Sequence, residues 1–389
     1  MSGIYNQTIT AVQNSMVAFC RYITANDIGE TGSHQSGFYI PKYAIPVFFD
    51  TPGEKGTNKD RNIIIKWQND FETSSRVIYY GKGTRNEYRI TRFGKHFPFF
   101  TDDNIGNLLI IAKHDNDTYS GFVLSEDDDI DSFFAHFNIP PDSGAQLIEQ
   151  KEANRQKNTA SATLQEIVAK FSDFPQTEIM TISAQSAAEK ICGIDKKTIL
   201  SNPDDVIIKW IDIEFALFRM IEEKVYNPII SKPFSDCQSL IDFSNTILNR
   251  RKSRAGKSLE HHLAKIFMSS ELKFETQVIT EDNKKPDFIF PGGKEYHDFS
   301  FPTEKLIFLG AKTTCKDRWR QVLNEADRIE KKYLFTLQQG VSTNQLKEMK
   351  HENLVLVVPE QYRTCFSKEY RDGILSLKNF ISMVRFTQN

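Results

Sequence analysis

At 389 residues the chain is long enough for two domains or three. A hydrophobic fraction of 39% with 26% charged residues and 30 Phe excludes a chain disordered throughout and supplies apolar side chains for more than one core. The 49 basic and 51 acidic side chains leave a net charge of -2, which argues against a nucleic-acid binder driven by overall positive charge but leaves local basic patches open.

In chain order, residues 1–135 hold short apolar or alternating runs: Gly37–Pro41, Asn62–Trp67, Arg76–Tyr80, Leu108–Ala112 and Tyr119–Leu124. Turn residues such as Asn69-Asp70 and Asp115-Asn116-Asp117 separate them, a spacing that predicts a β-sandwich or barrel. Residues 139–162 are rich in Pro, Ser, Gln, Asn and Lys and predict a linker, partly helical at most. Beyond about residue 163 the pattern turns α/β. Helices are predicted over Asp212–Tyr226, Ser235–Asn249 and Lys257–Ser269, the last with Leu259, Leu263, Ile266 and Phe267 on one face. Strands Phe274–Thr280 and Pro286–Phe290, strand Leu306–Thr314, helix Asp317–Ile329, strand Tyr333–Leu337, a helix near Asn344–Lys350 and strand Leu354–Val358 complete a sheet covered by helices.

No stretch approaches the ~20 apolar residues of a membrane helix. The opening MSGIYNQTIT has no basic run followed by an apolar one, so no signal peptide is expected. Cys20, Cys192, Cys237, Cys315 and Cys365 are odd in number and scattered, which predicts reduced thiols and a cytoplasmic protein with neither disulfides nor a zinc site.

Four charged residues of the second half can converge. Asp287 opens one strand, Lys312 lies in the next strong strand, Glu325 lies on the segment after it and Glu260 on the helix before. From Lys312 to the strand end near Cys315 is about 10 Å, and from Asp317 to Glu325 along a helix about 12 Å, so a helix folding back brings Glu325 level with Lys312. Two carboxylates beside a lysine suit phosphodiester hydrolysis. The carboxylates hold a divalent cation, and the ammonium orients a water and stabilises the charge that builds up. All-oxygen ligands point to Mg²⁺. A Pro-Asp with a distant Lys is also a common accident, and Glu325 on a charged helix reads equally as a solvated residue. Against that, Lys312 interrupts the apolar run LIFLGAKTT, where an unpaired charge is costly to bury.

The segments RRKSRAGKSLE (Arg250–Glu260), ITEDNKKPDFIFP (Ile279–Pro291) and AKTTCKDRWRQVLNEADRI (Ala311–Ile329) closely resemble the catalytic domain of the EcoRII-type restriction endonucleases. The resemblance extends through LFTLQQGVS (Leu334–Ser342) and LVLVVP (Leu354–Pro359). In the first half, TANDIGETGSHQSGFYIP (Thr24–Pro41) and GKGTRNEYRITRFG (Gly81–Gly94) resemble the effector domain of that family. The resemblance implies a two-domain α+β protein: an N-terminal B3-like β pseudobarrel and a C-terminal α/β PD-(D/E)XK nuclease domain. It implies a homodimer joined through the C-terminal domain, Mg²⁺-dependent double-strand cleavage and activation by a second copy of the recognition sequence. By the same likeness Asp287 and Glu325 are metal ligands, Lys312 the catalytic lysine and Glu260 a supporting acid. The usual motif places its second acid two residues before the lysine. That position is Gly310 here, and the family subgroup supplies the acid from the following helix, where Glu325 stands.

Lys316-Asp317-Arg318 follows the catalytic strand. Arg bonds the guanine major-groove edge bidentately and Asp accepts from cytosine N4, so the triplet suits adjacent C·G pairs. Its other reading is a helix start with Asp317 as the cap. The resemblance makes the triplet the reader of the outer CC/GG. Arg250, Arg251, Lys252, Arg254 and Lys257 form a cationic run that reads as a solvated surface or, before a catalytic helix, as a grip on phosphates. Gly256-Lys257-Ser258 lacks the first glycine of a nucleotide-binding loop, so no nucleotide cofactor is expected. Arg85, Glu87 and Arg89 alternate along a predicted strand and share one face, which reads as a barrel's polar exterior or a groove reader. By likeness His34, Tyr39, Lys82, Arg85, Glu87 and Arg89 are effector-DNA contacts, although an extra Gly83 and the neutral Tyr88 depart from the family pattern.

The expected organisation is an effector domain over 1–140, a linker over 141–162 and a catalytic domain over 163–389. The expected function is a type IIE endonuclease cutting at 5'-CCWGG or a close relative. The competing readings are a non-catalytic DNA-binding regulator and a structure-specific repair nuclease.

Overall fold

The computed structural model describes residues 3–29, 37–115, 117–140, 144–149 and 162–389. Its first half contains β1 (Val17–Tyr22), β2 (Phe38–Ile40), β3 (Lys59–Trp67), β4 (Phe71–Tyr80), β5 (Glu87–Thr91), β6 (Leu108–Lys113), β7 (Thr118–Leu124) and β8 (Ala145–Glu149). Among the described residues they form one sheet in the order β2-β5-β4-β3-β7-β6-β1-β8, antiparallel except between β3 and β7. Asn69 and Asp70 turn β3 into β4 in left-handed conformations (φ 63° and 57°), which Asn and Asp tolerate better than most residues.

Side chains from β1 to β7 meet in one core that is largely aromatic, with Phe93–Phe97 and Trp67–Phe97 ring centroids 4.5 and 4.8 Å apart. Among the described residues three α-helices belong to this half: α1 (Gly3–Gln13), the short α2 (Ile45–Phe48) and α3 (Asp127–Phe137). α1 and α3 cover the other face of β1 and β6 with Ile9, Val12, Ile130, Phe133 and Phe134. α3 opens on Asp127, Asp128 and Asp129, which suit the positive end of its dipole, and stops at Asn138 with φ 52°. The linker reading needs one correction. Ala145–Glu149 pairs with the open edge of β1, whose free N–H and C=O groups recruit the passing chain. Residues 150–161 lie outside the described ones.

The second half begins with helices α4 (Ala162–Ala169), α5 (Thr177–Cys192), α6 (Lys196–Ser201), α7 (Pro203–Ile230) and α8 (Cys237–Ser269). The two helices expected over 235–249 and 257–269 are one of 33 residues, capped by the Asp236 carboxylate on the Ser239 amide at 2.8 Å. The cationic run between them is helix-compatible, and Gly256 costs only about 1 kcal/mol in a helix interior. There follow β9 (Phe288–Phe290), α9 (Gly293–His297), β10 (Ile307–Lys312), α10 (Trp319–Leu323), β11 (Lys332–Thr336), α11 (Thr343–His351), β12 (Leu354–Val358), β13 (Leu375–Ser376) and α12 (Leu377–Gln388).

These strands form a five-stranded sheet, β13-β12-β11-β10-β9, parallel from β10 to β13 with β9 antiparallel at the edge. Helices cover both faces, which is why β10 reads as an unbroken apolar run. Phe288, Phe290 and Leu309 pack on Leu259, Leu263, Ile266 and Phe267 of α8, while Ile289 and Phe308 pack on Trp319 and Val322 of α10. Two predicted elements are shorter than expected. Phe274–Thr280 contributes only a bridge between Glu275 and Ile289, because Gln277 adopts φ 55° and breaks the extended run. Asp317–Ile329 is helical only over Trp319–Leu323, and Ala326 at φ 52° turns the chain back.

Candidate active site

β9 and β10 run side by side with Leu309 opposite Phe288, which sets Asp287 against the C-terminal end of β10. There the Asp287 carboxylate accepts from the Ala311 amide at 2.8 Å and from the Lys312 ammonium at 3.1 Å. Asp287 is buried, whereas the Lys312 side chain keeps 24% of its surface open to the cleft. Glu260 arrives from α8 and Glu325 from the turn after α10. Both carboxyls are pushed up to about 7, first by burial and then by the negative charge of Asp287, with the Lys312 cation pulling the other way. One oxygen of Glu325 is buried and has no hydrogen-bond partner among the described residues. The four residues expected to carry the chemistry are therefore one electrostatically coupled cluster at the edge of the sheet.

The room beside the cluster is a cleft of about 850 Å³, with Glu260 and Lys312 on one wall and α3 on the other. α3 is fastened at both ends. At its start the Asp127 carboxylate accepts from the amides of Asp317 (2.8 Å) and Arg318 (3.2 Å), and Asp317 returns the contact to the Asp127 amide (3.1 Å). The Arg318 guanidinium donates to Asp128 and Asp131, each at 2.7 Å. Lys316 bonds Asn107 and the Asp103 carbonyl (3.3 Å), and burial lowers its pKa. At the far end Arg251 donates to the Ala135 carbonyl at 3.0 Å while pairing with both oxygens of Glu222 (2.8 and 2.7 Å). All three residues of the proposed reader triplet are thus held by the first domain.

The remaining predicted residues fall into two groups. Lys252 and Lys257 are exposed beside the cleft, as a phosphate grip requires. Arg251 and Arg254 differ from that expectation: the first is the bridge just described, and the second lies over Phe215 and Phe218, 4.8 and 4.7 Å from their ring centroids. In the first domain Lys82 and Arg85 are exposed, Glu87 and Tyr39 half-buried. Arg85 precedes β5 rather than lying on it, and it stacks 5.3 Å from the Tyr80 ring. Arg89 is 3% exposed and donates to the Gly37 carbonyl at 3.1 Å, so it does not share an open face with Arg85. Tyr88 is buried, its hydroxyl accepting from the Gly53 amide. His34 lies outside the described residues. Sequence reasoning missed the acids of α3. The available signal was the spacing of Asp127 and Asp131, which share a helix face with no basic partner beside them.

Two family models match, the EcoRII C-terminal model over residues 218–381 and the N-terminal model of the restriction endonuclease EcoRII over residues 12–152. Together with the acid–lysine cluster they define the class as type II restriction endonuclease, a site-specific deoxyribonuclease. The chain is 34% identical to the type II restriction enzyme EcoRII of Escherichia coli over 98% of its own length and 97% of that protein's. It belongs to the EcoRII-type family. It is also 26% identical to the type II restriction enzyme SsoII of Shigella sonnei, over 49% of this chain and 71% of that one. Among solved structures, metal-depleted Ecl18kI in complex with uncleaved DNA matches 58% of this chain and 83% of that one at 20% identity and a TM-score of 0.46.

Proposed function

We propose that the chain is a type IIE enzyme. Its C-terminal domain, over 163–389, cuts both strands at 5'-CCWGG or a closely related site as a homodimer. Its N-terminal domain, over 1–140 with a B3-like pseudobarrel fold, binds a second copy of the site. The observation that carries this reading is the meeting of Asp287, Lys312, Glu325 and Glu260 beside a cleft. Digestion of a sequenced multi-site plasmid with Mg²⁺ and mapping of the ends tests it. Intact plasmid sinks the reading, and ends at unrelated sequences sink the assigned site.

The donor set fits Mg²⁺. All candidate ligands are carboxylate oxygens, and the unpartnered oxygen of Glu325 together with two acids driven toward protonation marks negative charge that a divalent cation relieves. Among the described residues no three acidic, histidine or cysteine side chains form a ready-made cage. Mg²⁺ needs none, since one or two carboxylates suffice when water and phosphate complete its shell. Asp287 and Glu325 are the residues that would hold it. When bound, the cation supplies positive charge against the scissile phosphate and acidifies a nearby water. The protein's own contribution is positional. The Ala311 amide fixes one oxygen of Asp287, and the Lys312 ammonium beside it would stabilise the charge that develops on a phosphate bound there. Glu260, titrating near 7, can hold or release a proton at neutral pH.

Below pH 7 a proton occupies the Glu325 carboxyl, and a cation held there must displace it. The half-saturating Mg²⁺ concentration is therefore expected to fall about tenfold per pH unit up to pH 7 and to level off above it. Titration of cleavage rate with Mg²⁺ between pH 5.5 and 8.5 checks this, and a flat midpoint contradicts it.

In the docked arrangement α3 stands where the reader triplet must meet bases, so effector DNA is expected to act by lifting α3 away. Arg85→Ala should weaken effector binding by about 5- to 150-fold and remove the stimulation that an added specific oligonucleotide gives on single-site plasmid. Undiminished stimulation excludes Arg85 from that contact.

A further inference from the structure

Gly310 occupies the strand position at which an acid would be held rigidly by the sheet. A side chain there would press on α10, because its Cβ would lie 2.9 Å from Val322 Cγ1 and the buried valine would have to shift. The acid has moved to Glu325, on a turn after a five-residue helix, and a turn lacks the ladder that keeps a strand in place. Something else must hold Glu325 to the tolerance metal chemistry demands.

The structure shows what does. The turn passes through Ala326, a buried non-glycine residue at φ 52°, a conformation that costs of order 1 kcal/mol and persists only where the surroundings dictate it. Lys332, itself buried, donates its ammonium to the carbonyls of Ala326 (3.3 Å) and Ile329 (3.0 Å). Arg328 donates to the carbonyls of Tyr296, Phe301 (2.6 Å) and Glu295 (3.2 Å). The Glu281 carboxylate accepts from the Asp327 amide at 3.2 Å and, through both oxygens, from the Tyr296 hydroxyl at 2.8 and 2.6 Å. The Tyr296 hydroxyl also receives the Arg328 amide at 3.4 Å. Tyr296 is 2% exposed, so it faces this turn from the interior.

We propose that Glu281, acting through Tyr296 and the Asp327 amide, is a positioning residue that fixes Glu325 for divalent-cation binding. The clamp replaces the β-ladder that the relocated acid gave up, and Glu281 acts on Glu325 through Tyr296 and the Asp327 amide. Groups that orient metal ligands in this way typically change metal affinity or activity by about 10- to 100-fold when lost.

The inference rests on the nuclease reading, and the test separates the two. In full-length protein, Glu281→Ala is expected to raise the half-saturating Mg²⁺ for cleavage by about tenfold or more. It should shift the Ca²⁺ midpoint for tightened site-specific DNA binding, an activity-free readout, by the same factor, with metal-free DNA affinity unchanged. Tyr296→Phe, which removes one oxygen and nothing else, should move both midpoints in the same direction and add little to Glu281→Ala in the double variant. Glu281→Gln, which keeps an acceptor for the tyrosine hydroxyl, should return both midpoints most of the way to wild type. Midpoints within about twofold of wild type in both Glu281→Ala and Tyr296→Phe overturn the proposal. So does a fall in rate without any change in the Ca²⁺ midpoint, which would mark a general structural effect. A wild-type protein that cuts nothing with Mg²⁺ defeats the nuclease reading instead.

Discussion

Lys312→Ala is expected to lower cleavage at saturating Mg²⁺ by about 10³-fold or more while leaving site-specific DNA affinity in Ca²⁺ within about threefold of wild type. Lys312 ends β10, whose backbone pairs with β9 on one side and β11 on the other, so the strand does not depend on this side chain. What the substitution removes is the cation that donates to Asp287, 3.1 Å away, and that does more than any other nearby cation to draw the Glu260 and Glu325 carboxyls back from still higher values. The groove-facing groups assigned to recognition are untouched, so binding and chemistry separate. Single-turnover cleavage with parallel gel-shift titration measures both. Unchanged cleavage would count decisively against Lys312 as the catalytic lysine.

The second large effect concerns release of α3. Asp127→Ala combined with Asp131→Ala removes the carboxylate that caps two amides of the reader segment and one of the two acids on Arg318. Hydrogen bonds to charged groups contribute about 1.5–3 kcal/mol each, so the docked state loses about 3 kcal/mol or more, over 100-fold in the docked-to-open ratio. Burial pushes both aspartates upward, so holding them in the docked state carries a desolvation cost. Cleavage of single-site DNA without effector should rise about tenfold or more, up to the level of the effector-stimulated wild type. Arg318→Ala breaks the same contact from the other side and should not activate if, as proposed, Arg318 also reads the target. A double variant that still waits for effector DNA rules out α3 as the inhibitory element.

The catalytic cluster was legible because its chemistry leaves local marks. A Pro-Asp opens one edge strand, a lysine interrupts the most apolar strand, and an acid follows at a distance that one turn of chain can close. The core face of α8 was legible too, since Leu259, Leu263, Ile266 and Phe267 repeat with the period of a helix and all are buried. The cationic run gave a poorer reading. Composition cannot distinguish Lys252 and Lys257, which stay in solvent, from Arg251 and Arg254, which a carboxylate and two aromatic rings hold down. Arg89 misled for the same reason, because alternation assigns a face to a residue but not whether that face meets water or the Gly37 backbone.

Periodicity was enough to separate a β-rich first half from an α/β second half, because it acts over distances that neighbouring residues share, while the family and the four residues of the cluster were legible through long segments that resemble the EcoRII-type endonucleases. Only the tertiary structure decided that α3 bonds Asp317 and Arg318, that Asp102 accepts from the Thr343 and Asn344 amides at the start of α11, and that Glu281 reaches the turn of Glu325. Those contacts join residues 190 and 241 positions apart in the first two cases and 46 in the third. Each is made by a charged side chain completing the unpaired amides of a helix end or a turn. Any carboxylate in the chain could do that, so which one does depends on where folding brings the two surfaces together.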